Sequence, residues 1–226
     1  MEYRHELKFF VSEADLELLR ARISHLVKPD IHQPADGGYL ITSLYFDNIY
    51  DRCLDESMQG CDRRHKYRLR IYEHSSDVIK LERKSKIHGM TAKKAVSVSP
   101  EECRELMQGR IPWLQPAFSE DKNRILCDMK LTGMQPKSIV QYNREAFVHP
   151  LGNVRITFDQ NISGTNRVEN FLDGNICTVP LLNTGVHILK VKYDSLLPKY
   201  ISEALEIEKL MQTSFSKYVY SRMTIG

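Results

Sequence analysis

Much of the chain alternates between apolar and polar residues with a period of two, the pattern that predicts half-buried β-strands. We predict eight strands, at residues 3–11, 39–47, 66–72, 78–86, 92–98, 139–149, 153–160 and 187–193. Several are separated by only a few residues, which favours antiparallel hairpins because parallel strands need long crossovers. The stretch 164–183 has little periodicity and several Asn, Gly and Thr residues, so we predict a long loop there.

Four segments between the strands have the capping residues and the apolar spacing of helices. They begin at or just after Ser12, Ser99, Ser119 and Pro198, and a last helical turn is predicted after Ser214. The predicted fold class is therefore α+β, dominated by an antiparallel sheet. Amphipathic helices are expected to cover the apolar face of that sheet.

Five of the predicted strands share one design, in which one face is apolar and the other carries mostly cations. In the strand at 66–72, for example, the charged parity consists of Lys66, Arg68 and Arg70. Such a face is commonly just solvated, and that interpretation stays open. Like charges on neighbouring strands repel each other, however, so an anion between them would relieve the repulsion. If the charged face curls inward, the sheet forms an eight-stranded barrel with a cationic lumen.

The lumen of an eight-stranded barrel is just wide enough for side chains or one elongated ligand, so a cationic lumen selects a compact anion with several charges. Arginine offers paired hydrogen bonds to phosphate oxygens and lysine offers a point charge. A triphosphate or a polyphosphate chain therefore fits, whereas duplex DNA is too wide to enter. The pattern predicts a protein that binds phosphate chains and does not bind duplex nucleic acid.

Composition narrows the possibilities further. The chain has 226 residues, of which 42% are hydrophobic and 27% charged, and we expect one domain spanning 1–226. Lys plus Arg number 32 against 29 Asp plus Glu, so attraction for anions depends on where the charges sit. The five cysteines form no Cys-x-x-Cys pair, which argues against a disulfide framework or a zinc site. No apolar stretch reaches the ~18 residues of a membrane span, and the N-terminus lacks the apolar core of a signal peptide, so we expect a cytoplasmic protein.

Eight short strings follow one another along nearly the whole chain. They are Tyr3-Arg4-His5-Glu6-Leu7-Lys8, Ser43-Leu44-Tyr45-Phe46-Asp47-Asn48, Lys66-Tyr67-Arg68-Leu69-Arg70, Leu81-Glu82-Arg83-Lys84, Tyr142-Asn143-Arg144, Val154-Arg155-Ile156-Thr157-Phe158-Asp159, Val191-Lys192-Tyr193 and Phe215-Ser216-Lys217-Tyr218. In this order they resemble the VTC (vacuolar transporter chaperone) domain, the polyphosphate polymerase branch of the triphosphate tunnel metalloenzymes. The resemblance implies a tunnel that binds ATP and a divalent metal ion, manganese or magnesium, and transfers the γ-phosphoryl group to a polyphosphate chain.

The resemblance also implies roles for individual residues. The cations of the catalytic site would be Arg68, Arg70, Lys84, Arg144 and Arg155. The further substrate-binding residues would be Lys8, Tyr45, Lys94, Lys192 and Lys217, with Tyr45 beside the nucleotide near the tunnel mouth. The candidate metal ligands on the charged face are Glu6, Glu82 and Asp159, which could instead simply pair with neighbouring cations.

One position departs from the family pattern. Where family members commonly have Glu-Val-Lys or Glu-Ile-Lys, with the glutamate contacting the metal, this chain has Lys190-Val191-Lys192. A lysine cannot ligate a hard divalent cation, which takes oxygen ligands. We expect the lysine to preserve anion binding, but it puts metal-assisted phosphoryl transfer in doubt. Two alternatives to a polymerase therefore stay open: a triphosphatase that uses water as the acceptor, and a phosphate-binding module that has lost turnover.

Overall fold

Ten strands and six α-helices make up the regular structure of a computed structural model of the chain, which describes residues 4–34 and 37–226. The strands are β1 (His5–Ser12), β2 (Lys28–Pro29), β3 (Tyr39–Asp47), β4 (Arg64–Tyr72), β5 (Ser75–Ile87), β6 (Met90–Ser97), β7 (Gln135–His149), β8 (Val154–Thr165), β9 (Val179–Pro180) and β10 (Val186–Tyr193). The helices are α1 (Glu13–Ile23), α2 (Arg52–Met58), α3 (Pro100–Met107), α4 (Glu120–Leu131), α5 (Lys199–Ala204) and α6 (Lys217–Ile225). Tyr3, the first residue of the first predicted strand, lies outside the described residues. None of the described helices is long and apolar enough to cross a bilayer.

The strands form one curled antiparallel sheet, in agreement with the predicted α+β class. Eight of the described strands pair in the order β1-β10-β8-β7-β3-β4-β5-β6, while β2 and β9 add short pairings to β7 and β8. The curl brings the two ends of this order together, because Arg4 just before β1 forms an isolated backbone bridge with Thr91 in β6. The sheet therefore has a convex outer face and a concave inner face.

The closed barrel expected from the sequence is wrong, because the sheet stays open along the seam between β1 and β6. A segment after α5 occupies the free edge of β1 instead. The amide of Phe10 donates to the carbonyl of Met211 at 3.2 Å, and the amide of Thr213 donates to the carbonyl of Lys8 at 2.9 Å. Since these edge groups are already paired, β6 cannot extend a ladder along β1.

Helices α1 and α5 cover the outer face at one side of the sheet. The buried residues of this core come from β1, β8, β10 and the two helices, and include Phe9, Val11, Leu16, Leu19, Ile23, Ile156, Phe158, Leu189, Val191, Ile201 and Leu205. The predicted capping box of α1 is present, with Ser12 accepting from the Asp15 amide and Asp15 accepting from the Ser12 amide. Helix α5 ends at Ala204, because Glu206 has a left-handed backbone with φ of 46°.

Helices α3 and α4 pack on the outer face of the other half of the sheet. Each begins as predicted, at Ser99 and Ser119, whose side chains accept hydrogen bonds from amides of the first helical turn. Their buried residues Cys103, Leu106, Ile125, Leu126 and Met129 join the core formed by the outward side chains of β3, β4 and β5. Both helices thus stay clear of the inner face.

Helix α6, predicted as a last helical turn after Ser214, lies on the inner side of the sheet, unlike the four helices that were expected to cover the outer face. Side chains of α6 and of Phe215 just before it contact the inner face, in the pairs Ser221 with Ser138 (2.8 Å between hydroxyl oxygens), Tyr218 with Tyr45 (rings stacked at 5.3 Å) and Phe215 with Phe10 (ring centroids 6.0 Å apart). These partners come from three different strands. The start of α6 therefore fills one end of the curl.

The sequence pattern does not predict α2, which is held in place by a single buried carboxylate. Asp47, at the end of β3, accepts hydrogen bonds from the amides of Cys53 (2.8 Å) and Leu54 (2.9 Å) in the first turn of α2. Asp47 also accepts from the hydroxyl of Tyr218 in α6 at 2.6 Å. This residue ties β3, α2 and α6 together at the filled end of the curl.

Candidate functional site

Three buried carboxylates organise the charged inner face of the sheet, and each is surrounded by three cations. They are Glu6 in β1, Glu82 in β5 and Asp159 in β8. Period-two alternation puts them on the same face as most of the cations predicted from the sequence, because neighbouring strands keep their inward residues in register.

Asp159 is fully buried and holds the first group of cations. Arg144, its register partner in β7, donates two parallel hydrogen bonds to the carboxylate at 2.7 and 2.8 Å. Lys217, in the first turn of α6, contacts the same carboxylate, and the ammonium of Lys190 lies 3.8 Å from its Oδ2. Burial alone would raise the pKa of Asp159, but Arg144 and the two lysines hold it well below its usual range.

Glu82 is 1% exposed and holds the second group. Arg68 in β4 donates from Nε at 2.7 Å, Lys93 in β6 donates at 2.9 Å, and Arg70 lies 3.9 Å away. Burial opposes ionisation of Glu82, yet Arg68, Arg70 and Lys93 together depress its pKa far below the ordinary value. This carboxylate is therefore charged across the physiological range.

Glu6 holds the third group, which crosses the open seam. The ammonium of Lys84 in β5 donates to both of its carboxylate oxygens, at 2.9 and 3.2 Å. Lys192 and Lys8 lie 3.3 and 3.4 Å from the same carboxylate. Although burial would raise the pKa of Glu6, Lys84 and Lys8 keep it well below its usual range.

Nine cations thus meet three carboxylates, so the inner face keeps a large excess of positive charge. The sequence-predicted residues in these groups are Lys8, Arg68, Arg70, Lys84, Arg144, Lys192 and Lys217. Arg155, also predicted, shares the inner face but pairs with Asp30 at 2.5 Å. Asp30 lies just after β2, and no sequence signal places it there.

Lys94 does not join this cluster. Its ammonium contacts Asp121 in α4 on the outer face, and it pairs in register with the outward Arg83. The adjacent Lys93 faces inward and contacts Glu82. The sequence places two lysines side by side in β6, and the parity of the strand decides which one faces the lumen.

Two tyrosines line the inner face together with the cations. Tyr45 is 5% exposed, lies between Arg68 and α6, and its hydroxyl accepts from Arg68 at 3.2 Å. It therefore sits at the filled end of the curl and not at an open mouth. Tyr142, which the sequence analysis did not single out, accepts from Arg70 at 3.2 Å, and the ammonium of Lys217 lies 4.2 Å from its ring centroid. An aromatic face beside a cation stabilises that cation in a buried setting.

Lys66 is an inner cation that was not among the site residues predicted from the sequence. Its ammonium donates to the hydroxyl of Ser216 at 2.8 Å, and Lys8 donates to the carbonyl of Phe215 at 2.7 Å. Ser216 also caps α6 by accepting from the Val219 amide. Two lining cations therefore hold the start of α6 in the end of the curl.

Removal from water lowers the pKa of several inner lysines, because burial disfavours the charged form. The pKa of Lys8 and of Lys192 falls to about 8, and that of Lys66 falls to about 7. Burial and the neighbouring Arg144 bring the pKa of Lys190 well below its ordinary value. A bound anion would favour the charged form of all four lysines.

The residues present do not fit a divalent metal ion. Within residues 4–34 and 37–226, no three His, Cys, Asp or Glu side chains come together as a metal site. The expected ligands Glu6, Glu82 and Asp159 are each surrounded by cations, and the ammonium of Lys190 lies beside Asp159. A hard cation needs several oxygen ligands at once and is repelled by these ammonium and guanidinium groups. The implied manganese or magnesium site is therefore not formed by these side chains.

Comparison with known proteins agrees with this geometry. The sequence matches the VTC domain over residues 3–225, nearly the whole chain. The chain belongs to the VTC-domain family. The expected resemblance is thereby confirmed, and the curled sheet with its cationic inner face is the form that this VTC domain takes. A search of curated protein sequences found no significant match.

Solved structures share the fold of this VTC domain. The crystal structure of a candidate adenylate cyclase from Bacillus halodurans superposes with a TM-score of 0.54 at 13% identity, covering 95% of this chain and 94% of that one. A candidate adenylate cyclase from Vibrio parahaemolyticus superposes with a TM-score of 0.51 at 12% identity, covering 97% of each chain. At these identities the likeness extends to the fold alone.

Proposed function

We propose that this VTC domain binds ATP and polyphosphate on its cationic inner face and transfers the γ-phosphoryl group of ATP to the polyphosphate chain. The observation that carries the proposal is the set of nine inward cations around three buried carboxylates. A chain of phosphates is the ligand that matches several cations spread along a concave surface. Membership of the VTC-domain family supports a phosphoryl-handling function.

In this proposal the lining positions the phosphates and stabilises charge. Arg68, Arg70, Lys84, Arg144 and Arg155 hold the oxygens of the triphosphate, while Lys8, Lys192 and Lys217 hold the acceptor chain. A terminal oxygen of polyphosphate attacks the γ-phosphorus of ATP, the bond from that phosphorus to the bridging oxygen breaks, and ADP leaves. Phosphoryl transfer asks little covalent chemistry of the protein, so fixed positive charge along the path lowers the barrier.

A second candidate is a module that binds phosphate chains without turnover. Lys190 lies beside Asp159, and all three carboxylates are paired with cations. Both observations favour this function, because the side chains that the structure describes form no metal site. The filled end of the curl also favours a binding module, because a growing polyphosphate chain could not leave past α6. A triphosphatase would use the same residues with water as the acceptor.

One assay separates these functions. The protein is incubated with ATP, manganese and a short polyphosphate primer, and the products are resolved on a gel while free phosphate is measured in parallel. A lengthened polymer supports the polymerase, free phosphate without polymer supports the triphosphatase, and binding without either product supports the module. Absence of both binding and turnover would contradict the proposal. Lys94→Ala, which changes an outward lysine, is the matched control, and Arg144→Ala is the variant expected to lose the effect.

A further inference from the structure

A small cavity lies on the inner face between β7, β8 and β10. Its volume is about 40 Å³, room for about three water molecules and comparable to one tetrahedral oxyanion. Four of its five lining residues are cations. The lining consists of Arg144, Arg155, Thr157, Lys190 and Lys192.

The register of three neighbouring strands creates this space. Lys190 in β10 pairs with Thr157 in β8, and Thr157 pairs in turn with Ala146 in β7. Thr157 and Ala146 are short, whereas Arg155 and Arg144, the inward residues that precede them in β8 and β7, are long cations. The short pair therefore leaves a hole at the floor of the sheet, and the cations form its walls.

Two polar groups at the cavity lack adequate protein partners. The Thr157 side chain belongs to a residue only 1% exposed, and its hydroxyl oxygen has no hydrogen-bond partner among the described residues. The ammonium of Lys190 lies 3.8 Å from Asp159 Oδ2, beyond hydrogen-bond distance. A buried hydroxyl without a partner costs free energy, and a buried ammonium costs more. An oxyanion in the cavity would accept hydrogen bonds from both groups.

We propose that this cavity is a subsite for a single tetrahedral phosphate group, bound without a metal ion by Lys190, Thr157 and the flanking cations. The inference rests on the proposed phosphate-binding function of the inner face and adds a defined position to it. Lys190 supplies the positive charge at this position, so that no divalent cation is needed to balance the phosphate.

The phosphate group could come from free orthophosphate or from the end of a longer chain. The two sources share the same chemistry, and titrations with orthophosphate and with tripolyphosphate separate them. Both titrations are run by calorimetry with EDTA present, on the full chain and on Thr157→Val, Lys190→Met and Lys94→Ala. The melting temperature of each variant is also measured without ligand, to show whether the variant is folded.

The expected result is metal-independent binding that depends on both cavity residues. Thr157→Val removes one hydrogen bond and should weaken binding by roughly three- to tenfold, and Lys190→Met should weaken it by about tenfold or more. Thr157→Val should melt no lower than the natural chain, because it removes a buried hydroxyl without a partner. Lys94→Ala should leave affinity unchanged. An effect on orthophosphate supports the free anion as the ligand, and an effect confined to tripolyphosphate supports the chain end.

The inference and the proposed function fail in different ways. Tripolyphosphate that binds equally to the natural chain, Thr157→Val and Lys190→Met overturns the subsite while the proposed function stands. Binding that requires manganese also overturns the subsite. Absence of tripolyphosphate binding to the natural chain both with EDTA and with manganese overturns the proposed function, whatever happens with orthophosphate.

Discussion

Lys84 donates to both carboxylate oxygens of Glu6, at 2.9 and 3.2 Å, across the seam where the curled sheet fails to close. The two residues are 78 positions apart in the chain, in β5 and β1. Backbone pairing along this seam is limited to the bridge between Arg4 and Thr91 in the described residues. This side-chain ion pair therefore helps to hold the two edges together, as a β-ladder does between neighbouring strands elsewhere in the sheet.

We predict that Glu6→Gln lowers stability without ligand and increases the stabilisation by tripolyphosphate. Without the carboxylate, the three surrounding cations repel each other and have no anion to pair with. The free energy of unfolding should therefore fall by an amount on the order of 1 to 3 kcal/mol. Because the folded-state pKa of Glu6 is depressed, its stabilisation is present above the ordinary carboxyl value of 4.5 and is lost as the pH falls below it. Thermal unfolding against pH, with and without tripolyphosphate, tests this.

Glu203→Gln is the control for that comparison, since Glu203 is exposed and pairs with an exposed lysine in α5. Equal melting of Glu6→Gln and the natural chain at neutral pH would show that the pair does not secure the seam.

A second prediction separates two adjacent lysines in β6. Lys93→Ala should weaken tripolyphosphate binding by about 1 kcal/mol, roughly fivefold, because Lys93 faces inward but is half exposed. Lys94→Ala should leave affinity unchanged, because Lys94 contacts Asp121 on the outer face. Calorimetric titration of both variants under one buffer measures the difference. If the two variants weaken binding equally, the phosphate chain is not held on the inner face.

A third prediction concerns protons. Burial and the neighbouring Lys8 lower the pKa of Lys66 to about 7, against 10.5 for an ordinary lysine. Between these values the unfolded chain keeps a proton that the folded chain releases, so stability rises with pH across this window. A bound anion favours the charged form, so binding takes up protons, and affinity falls as the pH rises through the same window.

Titration of tripolyphosphate at pH 8 in two buffers of different ionisation enthalpy measures this proton uptake. Lys66→Met should take up fewer protons than the natural chain, whereas Lys199→Met, which changes an exposed lysine of α5, should not differ from it. Equal proton uptake in all three proteins would show that Lys66 is not linked to the ligand.

A fourth prediction concerns metal. Lys190→Glu places a second carboxylate beside Asp159 and removes a competing cation, so this variant should bind manganese where the natural chain binds it weakly or not at all. Adding Asp159→Asn should abolish the gained binding. Calorimetric titration with manganese compares the affinity of the natural chain with that of the two variants. Tight manganese binding by the natural chain, unchanged by Lys190→Glu, would contradict the proposed role of Lys190.

Strand alternation predicts which residues face the lumen in strands where apolar and charged residues alternate regularly. Arg68 and Arg70 are inward because their strand has a period of two, and the same rule places Glu82 opposite Arg68. Adjacent identical residues defeat the rule, as at Lys93 and Lys94. Short alanines surround that pair, so hydrophobicity alone does not reveal which parity is buried.

Long-range partners could not be predicted from the sequence. Nothing local to β1 shows that the segment around Met211 will occupy its edge, and so the sheet was expected to close. The inward placement of α6 likewise depends on Tyr218 meeting Asp47, a partner 171 positions away. Such contacts follow from the topology of the whole chain, because a helix pattern gives the apolar side of a helix but not the surface it meets.

The most direct test of the central claim is calorimetric titration of tripolyphosphate at low and high salt, for the natural chain, Arg68→Ala and Lys94→Ala. The account predicts binding at low salt that weakens steeply as salt rises, since the inner face attracts the ligand by charge. It predicts a loss of about 1.5 to 3 kcal/mol for Arg68→Ala, which removes a charge-assisted contact to a buried phosphate, and no loss for Lys94→Ala. Absence of binding at low salt, or binding that neither salt nor Arg68→Ala weakens, would contradict it.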